Sequence, residues 1–292
     1  MKKWIKAFRL RTLPLALSCI VAGSGLSELS DMSWLVFTLA ISTTLFLQVL
    51  SNLANDYGDF VKGTDNEDRI GPARALQSGE ITESLMKKAV IICSVFALLS
   101  GIALLGVSFN WQLNQSFIIL FILGVVGIAA AIKYTVGKFA LAYHALGDVF
   151  VFLFFGLVGV LGANYLQNQS INWSDLLIAI SIGFWSVGVL NMNNMRDHVN
   201  DKVQNKNTVV VLMGFNKAKF YQSFLIIGGL FSAVYYLLFV SSSLYPLALV
   251  VAIPLISHLR RVWLCTDEKD LNKELKILSL STFAFSILLL FF

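Results

Sequence analysis

Charge is scarce in this sequence: of 292 residues only 13% are Asp, Glu, Lys or Arg, against 57% hydrophobic, and the mean hydropathy is +0.75. A composition that apolar excludes an ordinary soluble domain of this length and points to a chain that lives in lipid. Cysteine is scarcer still, at three. Cys19 and Cys93 fall in apolar runs and Cys265 in a polar loop, without the paired spacing of a disulfide framework or a thiolate metal site, so all three read as packing residues. Proline numbers four, and the apolar runs lack the paired Gly/Pro interruptions that mark the broken helices of ion-coupled carriers. No polar stretch is long enough for a separate soluble domain. The net charge of +5 raises the question of nucleic acid, but the basic residues lie in short loops between apolar runs, which excludes a nucleic-acid face.

What is present is a succession of apolar runs long enough to cross a bilayer core of about 30 Å, which needs roughly 20 residues per helix. They fall near 12–27, 33–54, 87–108, 116–133, 143–163, 174–193, 219–240, 243–259 and 275–292. The expected fold is all-α: one polytopic intramembrane domain over 1–292, of about nine transmembrane helices. Numbering the loops alternately puts all 22 Lys and Arg on one side, in Lys2–Arg11, Lys62–Lys88, Lys133 with Lys138, Arg196–Lys219 and Arg260–Lys276. The opposite loops hold Glu28, Asp31, Asp175 and uncharged residues. The positive-inside rule therefore predicts a cytoplasmic N-terminus and an outer Phe292. The basic start before Ala22-Gly23-Ser24-Gly25 also has the look of a signal peptide, but a multispanning chain does not require cleavage, and the run is read as the first span.

The longest loops, 55–86 and 194–218, lie on the basic side and begin alike. Asn52-Leu-Ala-Asn55-Asp56-Tyr57-Gly58-Asp59 closes the second span, and Asn191-Met-Asn193-Asn194-Met-Arg196-Asp197 closes the sixth. The four-span offset suggests a weak internal duplication presenting equivalent helix ends to one cavity. Asn193, Asp197 and Asp201 are spaced i, i+4, i+8, so at about 100° per residue they drift only some 80° and share one helix face. Asn55 and Asp59 repeat the step. Asp65 follows six residues later, past Gly58 and Gly63, where the helix is expected to end and the loop to bring Asp65 back.

Carboxylates at a membrane edge are expensive and need compensation. Hard oxygen ligands of this kind suit Mg²⁺, which takes one or two carboxylates and completes its shell with water and substrate phosphates. Lys62, Arg69, Arg74, Arg196, Lys202 and Lys206, interleaved among them, suit a diphosphate. Together they read as a site for a metal and an anionic lipid headgroup. The alternative is mutual pairing at a solvated surface, the preferred reading for Glu67, Asp68, Glu80, Glu83 and Lys217. His198, one residue past Asp197, is turned about 100° from the shared face and is expected at an interface. Tyr57 and Tyr143 are assigned to an aromatic belt at the membrane surface.

The stretch from Asn52 to Asp65, continuing through Asp68-Arg69-Ile-Gly71-Pro72-Ala-Arg74 and Ser78-Gly79, resembles the first signature of the UbiA-type intramembrane prenyltransferase superfamily. Asn193-Asn-Met-Arg196-Asp197-His-Val-Asn-Asp201 with Asn205-Lys206-Asn207-Thr208 resembles the second. Arg9-Leu-Arg11-Thr12-Leu13-Pro14, and Tyr134-Thr135 with Gly147-Asp148 and the Phe-rich 150–155, resemble its other conserved segments. Asp65, two residues beyond the superfamily's usual place at Gly63, follows the variant of its naphthoate-accepting branch. Leu10 stands where a proline is common.

The resemblance implies a helical bundle around a central cavity in a bacterial cytoplasmic membrane, with the active site at its cytoplasmic face. It implies Mg²⁺ held by Asn55, Asp59 and Asp65 with Asn193, Asp197 and Asp201. Asn55, Asp59, Asn193 and Asp197 would carry catalysis, and Arg69, Arg74, Lys206, Lys62 and Arg196 would bind the diphosphate of a polyprenyl diphosphate. The implied acceptor is 1,4-dihydroxy-2-naphthoate, prenylated with loss of diphosphate and carbon dioxide to a demethylmenaquinone in menaquinone biosynthesis. Arg9, Arg11 and Lys138 are candidates for the acceptor carboxylate, the first two being equally suited to anchoring the first helix at phospholipid headgroups. Another aromatic acceptor such as 4-hydroxybenzoate is the neighbouring alternative. From another class stands an ion-coupled transporter, whose polar residues belong near mid-membrane rather than at helix ends.

Overall fold

Every expected span corresponds to a helix in the computed structural model, which describes residues 2–27, 30–66, 70–241 and 245–291. In chain order these are α1 (Leu13–Ser24), α2 (Trp34–Val61), α3 (Glu83–Ser108), α4 (Gln115–Lys133), α5 (Gly147–Asn168), α6 (Asp175–Val203), α7 (Phe215–Phe239), α8 (Tyr245–Leu264) and α9 (Leu271–Phe291). Seven are long and apolar enough to cross a membrane; the others are α1, of 12 residues, and α8, which carries Pro254. Among the described residues no strand forms, only an isolated parallel bridge between His144 and Asn207.

Local chemistry explains the helix starts. Ser33, Thr82 and Asn114 each accept from a backbone N–H three residues on, satisfying donors that the first helical turn leaves open. The apolar surface explains the arrangement. In α6 67% of the apolar window is buried inside the bundle, against 6% in α4, so α6 runs through the centre and α4 presents Ile118, Ile119, Ile122 and Val126 outward to lipid. The core lies where α6 meets α1, α5, α7 and α9, around the fully buried Trp185, whose ring stands edge-on to Phe285 at 5.2 Å.

A buried polar chain ties α6 to its neighbours. Asn191 on α6 donates to Gln222 on α7 at 2.9 Å, the Gln222 amide meets His258 on α8 at 3.0 Å, and His258 meets Glu274 on α9 at 2.7 Å. Arg261 completes it with a 2.5 Å contact to Glu274. Polar groups paired across a bundle in this way fix its register, because any slip would break the pairs.

Two helices run further than the apolar pattern suggests. The second span, expected to stop at 54, continues to Val61, and the sixth, expected to stop at 193, continues to Val203. The polar residues at these ends are buried, so their backbones stay paired within the helix instead of opening to water. The motif residues 55–59 and 194–201 are therefore helical, as their i, i+4 spacing requires, although they lie beyond the apolar spans.

Candidate active site

The end of α2 is shaped by two glycines of different function. Gly58 remains helical, and a Cβ there would meet the Thr135 Oγ1 at 2.6 Å, so its bareness lets the α4–α5 connection close on the helix. Thr135 then donates to the Ala54 carbonyl at 3.0 Å and to Asn55 Oδ1 at 3.1 Å, orienting the Asn55 amide. Gly63, with φ at +74°, makes the turn that ends α2, in a left-handed conformation that costs glycine nothing. Asp65 is carried back by this turn, and Arg74 joins the two acids: its Nη2 lies 2.9 Å from Asp59 Oδ2 and its Nε 2.9 Å from Asp65 Oδ2.

Asp59, 2% exposed, also accepts from the Tyr143 hydroxyl at 2.9 Å. Tyr143 therefore belongs to the site and not to a surface belt; it is buried and shares a 2.5 Å hydrogen bond with Thr64. Tyr57, by contrast, keeps to the periphery beside Glu83 and Lys87. Burial opposes the charge on Arg74, yet Asp59, Asp65, Asp56 and Asp197 outweigh it and hold its pKa above the usual value. Lys62, 3.8 Å from the Tyr143 ring centroid, is pushed down by burial and by Lys206 against the pull of Asp59.

At the end of α6 the acid is held from its own helix. Arg196 grips Asp197 with Nε at 2.8 Å and Nη2 at 2.5 Å, reaches Asn193 Oδ1 at 2.7 Å, and is fixed from α9 by Asn272 at 2.9 Å. The two ends converge. Lys206 Nζ lies 3.5 Å from Asp59 and 3.9 Å from Asp201, and Asn200 donates to the Thr64 carbonyl at 2.9 Å. His198 points elsewhere, against the Met195 carbonyl and the Phe215 ring.

Two cavities meet here. The smaller, about 90 Å³, is lined by Arg9, Asn55, Asp59, Arg74, Asp148 and Lys206 among others. The larger, about 580 Å³, runs between α2, α3, α4 and α5, with Arg9, Arg11, Asn193 and Arg196 at its polar part. Leu120, Phe121, Phe150, Phe154 and Phe155 make its apolar walls. Arg9, Asn55, Tyr134, Leu190 and Asn193 line both, so a polar chamber abuts an apolar one across a shared wall.

Of the expected binding residues, Lys138 is exposed and lines neither cavity. Its charge had suggested a carboxylate partner, but the connection that carries it turns outward. Arg69 lies outside the described residues. Arg196 is committed to Asp197 and Asn193, an arrangement that orients the acid as much as it offers a cation to a ligand. Tyr143 and Asn272 were not legible as site residues, since neither stands at a fixed spacing from either motif; Thr135 was marked only by its place in a segment that resembles the family's.

Among the described residues no group of three His, Cys, Asp or Glu is arranged to hold an ion. The donors that line the small chamber and its rim are nevertheless carboxylate and amide oxygens, the set that suits Mg²⁺, and Mg²⁺ takes few protein ligands beside a phosphate. The residues fit that metal as a partner of a phosphorylated ligand rather than as a closed protein cage.

Known proteins agree with this layout. The model of the UbiA prenyltransferase family matches residues 16–287. The 1,4-dihydroxy-2-naphthoate octaprenyltransferase of Escherichia coli (strain K12) is 42% identical over 254 residues, which is 87% of this chain and 82% of that protein. The protein of the same name from Mycobacterium tuberculosis is 34% identical over 80% of this chain and 77% of its own length. In fold, the chain resembles a UbiA homolog from Archaeoglobus fulgidus whose structure was solved bound to DMAPP and Mg²⁺, with a TM-score of 0.71 over 99% of both chains at 13% identity.

Proposed function

The chain belongs to the UbiA prenyltransferase family, and from that membership we propose that it transfers a polyprenyl group from a polyprenyl diphosphate to 1,4-dihydroxy-2-naphthoate. Diphosphate and carbon dioxide leave, and the ring, still at the hydroquinone level, becomes a demethylmenaquinol. The observation that carries this reading is the convergence of two Asn/Asp helix ends on one polar chamber that abuts an apolar cavity. A diphosphate headgroup suits the first and a prenyl tail the second.

Each residue set has a part. Mg²⁺, held by Asn55, Asp59 and Asp65 with Asn193, Asp197 and Asp201, would neutralise the charge that builds on the leaving diphosphate. Arg74, Lys206 and Lys62, which now neutralise those carboxylates or lie beside them, can turn to the diphosphate oxygens once a cation takes over that task. The Arg196 fork holds Asp197 in one orientation meanwhile. Phe150, Phe154, Phe155 and Phe121 line the cavity and exclude water from an allylic carbon whose positive charge their ring faces favour. Arg9 and Arg11 suit the acceptor carboxylate, both lining the large cavity.

The protein is a multi-pass membrane protein, and we place its basic loops and the chamber on the cytoplasmic side of a bacterial cytoplasmic membrane, supported by all 22 Lys and Arg falling on one side.

The deciding experiment offers the purified protein one prenyl diphosphate, Mg²⁺ and two acceptors, 1,4-dihydroxy-2-naphthoate and 4-hydroxybenzoate, and identifies the product by mass. A decarboxylated prenyl naphthoquinol is expected; a prenyl benzoate alone would overturn the acceptor. Thorough chelation is expected to stop turnover, and activity that survives it removes the metal from the reading.

A further inference from the structure

The small chamber contains a carboxylate for which the metal and diphosphate have no evident use. Asp148 stands in the first turn of α5 and is 8% exposed. Tyr221 on α7 lies beside it, while the carboxylate's Oδ2, shut off from solvent, has no hydrogen-bond partner. A buried anionic oxygen left in that condition is costly, and such groups persist where a ligand completes them.

The ligand it suits is narrowed by its surroundings. Oδ2 needs a donor. The chamber wall that carries Asp148 also includes Tyr134, Ala145, Gly147, Leu190 and Val209, a part of the lining that a flat ring can lie against, beside the Arg9, Arg74 and Lys206 part that suits a diphosphate. Arg9 lines the same chamber and the adjoining large cavity, where the prenyl chain would lie.

We propose that Asp148 is an acceptor-binding residue: its Oδ2 takes a hydrogen bond from a ring hydroxyl of the hydroxylated naphthoate, whose carboxylate faces Arg9. This rests on the function proposed above and adds to it the group that selects for a hydroxylated ring. A phenol that donates to a carboxylate also pushes electron density into its ring, the direction that attack on an allylic carbon requires.

The test reads acceptor binding without turnover. Binding of 1,4-dihydroxy-2-naphthoate and of its 1,4-dimethoxy analogue is followed by ligand fluorescence, in detergent, without Mg²⁺ or prenyl diphosphate. Asp148→Asn should weaken the dihydroxy ligand by about tenfold, the size of one charge-assisted hydrogen bond, and leave the already weak dimethoxy ligand unchanged. In turnover the same variant should raise the KM for the acceptor and not that for the prenyl diphosphate. Equal losses for both ligands, or a changed Mg²⁺ requirement with acceptor binding intact, would overturn the proposal.

If Asp148→Asn does not accumulate in the membrane, the wild-type protein decides alone: equal affinity for the two ligands sinks the inference. A wild-type protein that makes no naphthoate product removes the proposed function and this inference with it. A naphthoate product from both wild type and an indifferent Asp148→Asn removes the inference only.

Discussion

Asp197, at the end of α6, takes its arginine from the adjacent residue, whereas Asp59, at the end of α2, takes its arginine from 15 residues away and its tyrosine from 84 away. The two ends carry the same Asn-x-x-x-Asp step, and a reader of the sequence would expect them to be built alike. They are not. In one, the arginine that grips the acid comes from the same helix, with Asn272 on α9 bracing it. The other exists only when the 62–82 connection and the Tyr143 segment have folded onto α2. A repeated motif thus records what the ligand needs from both sides, and says little about how each side is held.

The largest test of that comparison removes the acids themselves. Asp59→Ala and Asp197→Ala are each expected to reduce prenyl transfer by roughly 10²- to 10³-fold or more, the scale of losing an electrostatic contact to the leaving group. Both proteins should still insert; full activity in either would remove that acid from the site. Their stabilities should differ. Arg74 keeps Asp65 when Asp59 is gone, but Arg196 keeps only the amides of Asn193 and Asn272 when Asp197 is gone. An uncompensated buried charge costs about 3–5 kcal/mol, so thermal unfolding in detergent should occur at lower temperature for Asp197→Ala.

Arg74→Met comes next. It strips both Asp59 and Asp65 of their shared guanidinium, and a cost of about 3–5 kcal/mol is expected, partly recovered in Arg74→Met/Asp65→Asn because one buried charge is then removed with its partner. No recovery would mean that Asp65 is compensated elsewhere. Tyr143→Phe should be milder, about 1.5–3 kcal/mol for one hydrogen bond to a charged group, read as a lower unfolding temperature and a fall in kcat. An unchanged protein would return Tyr143 to the belt to which its sequence assigns it.

The smallest effect is a pH shift at Lys62, whose pKa is lowered by burial first and by Lys206 second. It loses its charge at a lower pH than an ordinary lysine. Because the folded state prefers the neutral form, this group's contribution to stability grows as pH rises through its folded pKa toward the unfolded value. A loss of activity in that window is therefore a loss of the cation beside the site, and not unfolding through this residue. Lys62→Arg, which stays charged, should hold activity to higher pH; coincident profiles would exclude Lys62 from the chamber's electrostatics.

The expected site was legible to the degree that it was local. Asn193, Asp197 and Asp201 share a helix face by arithmetic on helical pitch, and the structure keeps all three in one helix, with Asn193 lining the chamber. The end of α2 near the glycines was legible too, although Gly58 works through closeness to Thr135 and only Gly63 turns the chain. Thr135 and Asp148 were marked only as parts of segments that resemble the family's, with no partner assigned, and Tyr143 and Asn272 were out of reach as partners, because an isolated residue on another element has no spacing to give it away. Lys138 failed for the converse reason: a charge near a conserved-looking segment says nothing about the direction its loop takes.

The sequence alone determined the helices and the two polar helix ends, and it groups every basic residue on one set of alternate loops, because each follows from apolar run length, charge placement or helical period over a few turns. Only the tertiary structure decided which cation neutralises which acid, that the two ends meet across Lys206, and that Asp148 is left with an open oxygen. Those outcomes depend on distances between elements far apart in the chain, and such distances are set by how the helices pack.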